Sequence, residues 1–197
     1  MTMTIKKGKT FSRVLRPTAP PYVYKAITAI GNTAPVTITA VGHGLVTGQY
    51  AAVVSVQGMK EINAQSAPPA PSEYHKVTVV DADNITINDI NAAEFRAYTS
   101  GGYLQYLTPL DMSGCTARRD IKDRVGGTVL LSLTTANSRL TIDNTAHTIT
   151  ETIDADDTAA ITWSCGVTDL ELEVTATGVV TEIDAEDVAV VEDEVTT

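Results

Sequence analysis

Residues 167–176 read Val-Thr-Asp-Leu-Glu-Leu-Glu-Val-Thr-Ala. In an extended chain Leu170, Leu172 and Val174 fall on one side and Asp169, Glu171 and Glu173 on the other. A period of two is what a half-buried strand requires, because successive side chains leave the backbone on opposite faces. Thr177-Gly178 supplies a turn, and Val179–Val191 reads as the returning, last strand. Towards the N-terminus the pattern repeats, with Cys115–Ile121, Thr128–Leu133, Leu140–Asp143 and His147–Ile153 as strands and Arg124–Gly127 as a turn. One stretch departs from it. Asp154 is an N-cap residue type, and Asp157 falls in the turn that follows, where the helix dipole favours a carboxylate. A short helix is therefore expected over 154–161, with Trp163 after it closing the core.

The first half of the chain obeys the same alternation. Tyr22–Ile30, Val36–Val41, Tyr50–Val56, Tyr74–Val80 and Ile85–Ile87 are expected strands. The loop 42–48 carries three glycines, 58–63 reads as a turn or a single helical turn, and 65–72 is a Pro-rich exposed loop. Asp81-Ala-Asp-Asn84 has hairpin-turn chemistry. Residues 3–15 read as two strands about Lys7-Gly8-Lys9, with Ile5, Phe11 and either Val14 or Leu15 facing inward. Three prolines in residues 17–21 exclude a central strand and favour a stiff connector. Strands every 8–12 residues or so, separated by turn signals, point to an all-β sandwich or barrel. Abundant Thr and Val agree, since β-branched side chains pack well on pleated surfaces.

A chain of 197 residues, 43% hydrophobic, can bury one large core or two small ones. No apolar run approaches the roughly 18 residues of a membrane span. Lys6, Lys7 and Lys9 are not followed by an apolar segment of the kind a signal peptide needs, so a soluble chain made in a cytoplasm is expected. The net charge of −10 is unevenly spread. Seven basic residues precede the first acidic one, Glu61, and fourteen acidic residues follow from Glu151 with no Lys or Arg among them. The basic arm is too sparse, and the chain too acidic, to favour phosphate backbones, so nucleic acid is not an expected partner. The charge pattern fits either a head-to-tail contact between copies or partners, or an acidic surface that keeps the protein soluble.

Little in the sequence suggests chemistry. Cys115 and Cys165 have no zinc-ligand spacing. They are expected to be buried, reduced thiols, with a cross-strand disulfide as the alternative. His43, between two glycines, completes a turn, and His75 and His147 sit in expected strands at the surface or edge. Asp81, Asp83, Asn84 and Asp89 lack the glycine and distal glutamate of a calcium loop, so hairpin solvation is preferred. Asp154, Asp156 and Asp157 are read as helix-capping residues, and Asp184, Glu186 and Asp187 as charges protecting a terminal strand from edge pairing. No serine sits in a nucleophile elbow and no phosphate-binding loop appears. No catalytic, cofactor or metal site is expected, and the chain is not expected to be an enzyme.

Two stretches resemble known families. The segment ITAIGNTAPVTITAVGHGLVTGQYAAVVSVQGMKEINA, followed by VTVVDADNITI and AYTSGG, carries a GHGL-x-x-G loop, a G-M-x-E-x-N turn and a V-V-D-A-D hairpin. Across about residues 27–102 it resembles the small β-barrel-like module of phage tail and fibre proteins that is related to a domain of ubiquitin-activating enzymes. TIKKGKTF near the N-terminus, with PLDMSGCTARRDIKDRVGGTVLLSL later, resembles the immunoglobulin-like N-terminal domain of phage upper baseplate proteins. In that family the two motifs are close together, whereas here some 95 residues separate them.

The resemblances imply an immunoglobulin-like β-sandwich made of residues 1–20 and 105–197, with a small β-barrel-like module, residues 21–104, inserted after its first strand. The alternative is a tandem in which residues 1–20 are a flexible arm. Tyr22, Tyr24, Tyr98, Tyr103 and Tyr106 lie at the entry and exit of the insert, where cross-strand pairs would brace a neck. The function implied is that of a structural component of a bacteriophage virion at the tail, baseplate or fibre base. Its partners would be other virion proteins and further copies of itself, with no membrane. Head-surface decoration or a neck position is the variant reading. A receptor- or carbohydrate-binding module is the second alternative, disfavoured by loops 42–48 and 65–72 that carry no aromatic residue.

Overall fold

The structure is a computed structural model that describes residues 2–184 and 188–193. The all-β expectation holds: sixteen strands stand against one five-residue α-helix among the described residues. No helix there is long and apolar enough to cross a membrane. The chain divides into two compact units, Met1–Pro17 with Asp111–Thr197, and Thr18–Leu110. They are called the split unit and the continuous unit below.

The split unit opens with two strands, β1 (Thr2–Lys6) and β2 (Phe11–Leu15). Gly8, at φ +71°, makes the turn between them. Met3 and Ile5 of β1 are buried. On β2 the inward set is Phe11, Arg13 and Leu15, each half-buried, while Val14 is 52% exposed. Choosing Val14 as the inward residue would have put β2 in the wrong phase, and the reason is ionic: Arg13 turns inward to a buried carboxylate.

The continuous unit consists of β3 (Thr18–Ala26), β4 (Ala29–Gly31), β5 (Val36–Thr39), β6 (Tyr50–Val54), β7 (His75–Val79), β8 (Asn84–Ile87) and β9 (Tyr103–Pro109). They form one sheet in the order β3-β9-β6-β7-β8-β5-β4. Two expectations are corrected here. The proline stretch is not a connector but the start of β3. Prolines lack the ladder donor, so β3 lies at the sheet edge, and its register with β9 jumps from Ala19 to Tyr22, passing over Pro20-Pro21. The single strand expected over 22–30 is two strands. Ile27 N–H still bonds to Gly102 O beside β9, at 3.0 Å, and Thr28 N–H bonds to Thr39 O beside β5, at 2.9 Å. The run changes partner between these residues, so both ends of the sheet meet one continuous stretch of backbone.

The core of the continuous unit is apolar, with Val36, Ile38, Ile85, Ile87 and Leu104 fully buried. Each such side chain contributes about 1.5–3 kcal/mol relative to exposure. The turn after Gly58 is a single 3-10 turn, Lys60–Ile62, whose Ile62 is buried. Asn63 fixes it by accepting from Val56 N–H at 2.8 Å and donating to Val56 O at 3.0 Å.

The split unit resumes with β10 (Cys115–Lys122), β11 (Val129–Thr134), β12 (Leu140–Asp143), β13 (Thr148–Ile153), α1 (Ala155–Ala159), β14 (Cys165–Val174), β15 (Val179–Asp184) and β16 (Val188–Glu192). One sheet runs β1-β16-β14-β10-β11, with β15 also on β14, and the other runs β12-β13-β2. β1 pairs parallel to β16, from Thr2 opposite Val188 to Lys6 opposite Glu192. β2 pairs antiparallel to β13. The last strand, expected to be continuous from Val179 to Val191, is in two pieces: β15 pairs residues 170–174 of β14, and β16 pairs Cys165 and Gly166. Glu186 and Asp187, read as edge-protecting charges, lie outside the described residues.

Other expectations in this unit are also corrected. Asp154 occupies the N-cap position of α1, but its carboxylate makes no capping hydrogen bond. Asp157 instead receives a hydrogen bond from Arg139 at 2.5 Å. Trp163 is only half-buried, and lines an open hollow of about 360 Å³ with Lys7, Asp123 and Cys165 rather than plugging the core. Cys165 is exposed and Cys115 partly so, and both are free. They stand towards opposite ends of the β10–β14 ladder, since Cys115 faces Val174 while Cys165 lies beyond the Lys122–Val167 pair, so no bridge can join them.

Candidate functional site

In the split unit, charged side chains occupy the core. Arg119 and Glu151 are fully buried. Arg119 Nε lies 2.7 Å from Glu151 Oε1, joining β10 of one sheet to β13 of the other. Arg13 brings Nε to 2.9 Å and a terminal nitrogen to 2.7 Å from Glu151 Oε2. One carboxylate therefore receives a guanidinium on each oxygen, and the N-terminal strand β2 is held by it. Charge-assisted bonds of this kind are strong, yet both partners lost their water, so the geometry fixes which strands meet more than it adds net stability. With both oxygens of Glu151 engaged, the cluster offers no free acid or base.

The polarity of charge along the chain is met in part within the same unit. Lys7 pairs with Asp193 at 3.1 Å, and Lys7 N–H donates to Glu192 O at 3.0 Å. The basic N-terminal segment thus finds acidic partners inside its own chain.

In the continuous unit, His43 is 2% exposed. Its Nδ1 accepts from Leu45 N–H at 3.0 Å, leaving Nε2 to donate to Asp81 O at 3.0 Å. The Tyr106 hydroxyl donates to His43 O. The glycine-rich loop is thereby tied to the 81–84 hairpin and to β9. Asp81 Oδ1 in turn accepts from the N–H groups of Asp83 and Asn84, at 2.8 and 2.9 Å, which holds its carboxyl below the usual range. Asp89 pairs with His75 at 2.8 Å. His147 lies in the turn ahead of β13 rather than in a strand, with φ +50°.

The feature that the sequence concealed is a face of tyrosines. On β3, β9 and β6 the residues Tyr22, Tyr24, Tyr103 and Tyr50 share one side of the sheet, as their register with Gln105, Ala52 and Val54 requires. These four are 44–56% exposed. Tyr74, just before β7, joins them: its ring stacks on Tyr22 at 6.5 Å and 23°. Tyr24 and Tyr103 meet edge to face, also at 6.5 Å. Beneath them Ala52 is fully buried and Gln105 nearly so. Gln105 Nε2 donates to the Tyr74 hydroxyl at 3.0 Å. Burial, and then the hydrogen bond with the Tyr22 hydroxyl, push the Tyr74 phenol up to about 12.

Of the tyrosines expected to brace a neck, only Tyr22, Tyr24 and Tyr103 belong to this face. Tyr106 points into the core, and the Tyr98 hydroxyl bonds to Ile27 O at 3.0 Å. Tyr50 and Tyr74 were not singled out in the sequence, though alternation placed Tyr50 on the side opposite Ala51 and Val53.

Residues 31–107 match the family model of the ubiquitin-activating enzyme E1 FCCH domain. The match lies wholly within the continuous unit. No curated protein matches the chain.

Proposed function

We propose that this chain is a non-catalytic structural component of a bacteriophage particle, acting as a rigid assembly or docking module at the tail, baseplate or fibre base. The observation that carries the reading is the FCCH-type match over residues 31–107, together with the order of loop, turn and hairpin motifs that resembles the module of phage tail proteins. The split unit is read in the same proposal as an immunoglobulin-like sandwich into which the continuous unit is inserted. Its two sheets, the inward alternation of β10, β13 and β14, and the chain order of the two units support that reading. Glu151 in the split unit and His43 and Asp81 in the continuous unit are committed to structural bonds, which favours a role in shape and adhesion over catalysis. A head-surface or neck position is the variant, and immunogold labelling of particles separates the two. The founding test is gradient fractionation of a lysate from cells producing the chain. Co-sedimentation with DNA-filled particles is expected, and a chain confined to the soluble fraction overturns the proposal.

A second reading, a receptor- or carbohydrate-binding module, is favoured by one specific observation, the exposed tyrosine face on the continuous unit.

A further inference from the structure

We infer that the tyrosine face of the continuous unit, formed by Tyr22, Tyr24, Tyr50, Tyr74 and Tyr103, is a binding platform for a neutral glycan chain.

Three features of the face select that ligand class. The first is its chemistry. Phenol rings offer flat apolar faces for the C–H side of a pyranose and hydroxyls for its polar rim, a pairing of apolar body with polar handle that suits amphipathic ligands. Exposed aromatic clusters of this kind are not needed for the core of the sheet, whose opposite side already buries Val53, Leu104 and Tyr106.

The second is charge. Lys76, opposite Tyr50 in the ladder, is the one charged side chain among the residues that share this side of β3, β9 and β6 and the paired end of β7. Glu73, next to Tyr74, is turned away and accepts from the backbone N–H groups of Ala70 at 2.7 Å and Ser66 at 3.2 Å. A phosphate-rich or acidic ligand would meet almost no counter-charge, in a chain whose own net charge is −10. An uncharged ligand loses nothing by this.

The third is size. Four strands spaced by about 4.8 Å span roughly 14 Å, and four residues of strand reach about 13 Å, so the face covers on the order of 200 Å². A standard protein interface takes about 800 Å² from each partner. The face is small for a stable protein contact and fits a few sugar rings. It is also prearranged. The Tyr22–Tyr74 stack and the Gln105–Tyr74 hydrogen bond fix two of the rings before any ligand arrives, which lowers the entropy lost on binding.

The test is affinity electrophoresis of the full chain in gels containing soluble neutral polysaccharides (dextran, galactomannan, mixed-linkage β-glucan or xylan), with a polymer-free gel as reference. Retardation in at least one gel is expected. Tyr24→Ala with Tyr103→Ala should weaken it by about tenfold or more, the scale of losing a well-packed aromatic contact. Tyr24→Phe with Tyr103→Phe keeps the rings and should stay within about threefold. Both positions are exposed, so a far-UV spectrum matching wild type separates lost binding from lost folding. No retardation in any gel overturns the inference, as does retardation that the Ala pair leaves unchanged. Concentration-dependent dimers abolished by the Ala pair would assign the face to a second copy and overturn it too. The inference is independent of particle membership, which the gradient experiment tests separately.

Discussion

The two units solve the same problem, closing an all-β core, with different materials. The continuous unit is built from nearer strands. Its most distant pair, β3 with β9, is 77–91 residues apart, its core cluster is apolar, and polar side chains such as His43 and Asn63 tie the loops 42–48 and 58–63 in place. The split unit is built from strangers. β1 pairs with a strand more than 180 residues later, and β2 with one more than 130 residues later, and its core contains Arg119 and Glu151 with Arg13 at their edge. Apolar packing is tolerant of exchange, whereas a carboxylate that needs a guanidinium on each oxygen accepts one arrangement of strands. The contrast suggests that fixed ionic contacts matter most where chain order gives least help in choosing partners.

The largest test of that contrast is Glu151→Gln. It leaves two guanidinium groups facing a neutral amide, one of them fully buried, and should cost about 3–5 kcal/mol. Hydrogen exchange should show lost protection in β2, β10 and β13 while β5, β8 and β9 keep theirs. Equal loss in both units would mean that they unfold as one and would break the comparison.

A smaller effect is expected from Gly58→Ala in the continuous unit. Gly58 has φ +82°, and an added Cβ would run into Ala97 O and lie 2.8 Å from Thr99 N. The strain alone costs about 1–3 kcal/mol, visible as a lower denaturant midpoint with the slope unchanged. Tyr106→Phe removes the donor to His43 O and should cost about 1–2 kcal/mol, because that carbonyl is left in a buried site. The same denaturation measurement reads it, and a change below the error would show that the loop is held by His43 alone.

The mildest effect is in alkali. The Tyr74 phenol is raised from 10 to about 12 in the fold, so the neutral form is favoured there. Its contribution to stability is complete below pH 10 and is lost as pH rises through about 12. Burial also raises the Tyr106 phenol, so an ultraviolet titration should show two late-ionising phenols, of which Tyr74→Phe removes one. If Tyr22→Phe leaves that late phase unaltered, the Tyr22–Tyr74 hydrogen bond does not contribute to it.

The strands were legible because alternation is local. β10, β13 and β14 could be drawn from their own residues. What stayed open was the phase of β2, between Val14 and Leu15, and the partnership of the charged residues. In each of three short runs a charged residue sits midway between two inward apolar ones: Phe11-Arg13-Leu15, Ala117-Arg119-Ile121 and Ile149-Glu151-Ile153. Read strictly, period two places all three charges inside, but a charge reads as surface unless its partner is known, and those partners lie 32 and 138 residues away. The tyrosine face was hidden for a similar reason. Its residues come from three strands and the position just before a fourth, and assemble only once the order β3-β9-β6-β7 exists, so Tyr50 and Tyr74 carried no signal by themselves. Trp163 shows the opposite error, a large apolar residue assigned to the core because nothing local said otherwise.

The pairing of β1 with β16 also sets a timetable for synthesis. The continuous unit has all its residues once position 110 has emerged, and can fold at once. β1 must wait for β16, some 80 residues later, which at roughly 5–20 residues per second is about 4–16 s. For that interval a nascent chain carries one finished unit and an unpaired β1, with β2 unpaired as well until β13 emerges; Lys6 at the end of β1, and Lys7 and Lys9 in the turn after it, are the kind of edge charge that discourages pairing with the wrong neighbour.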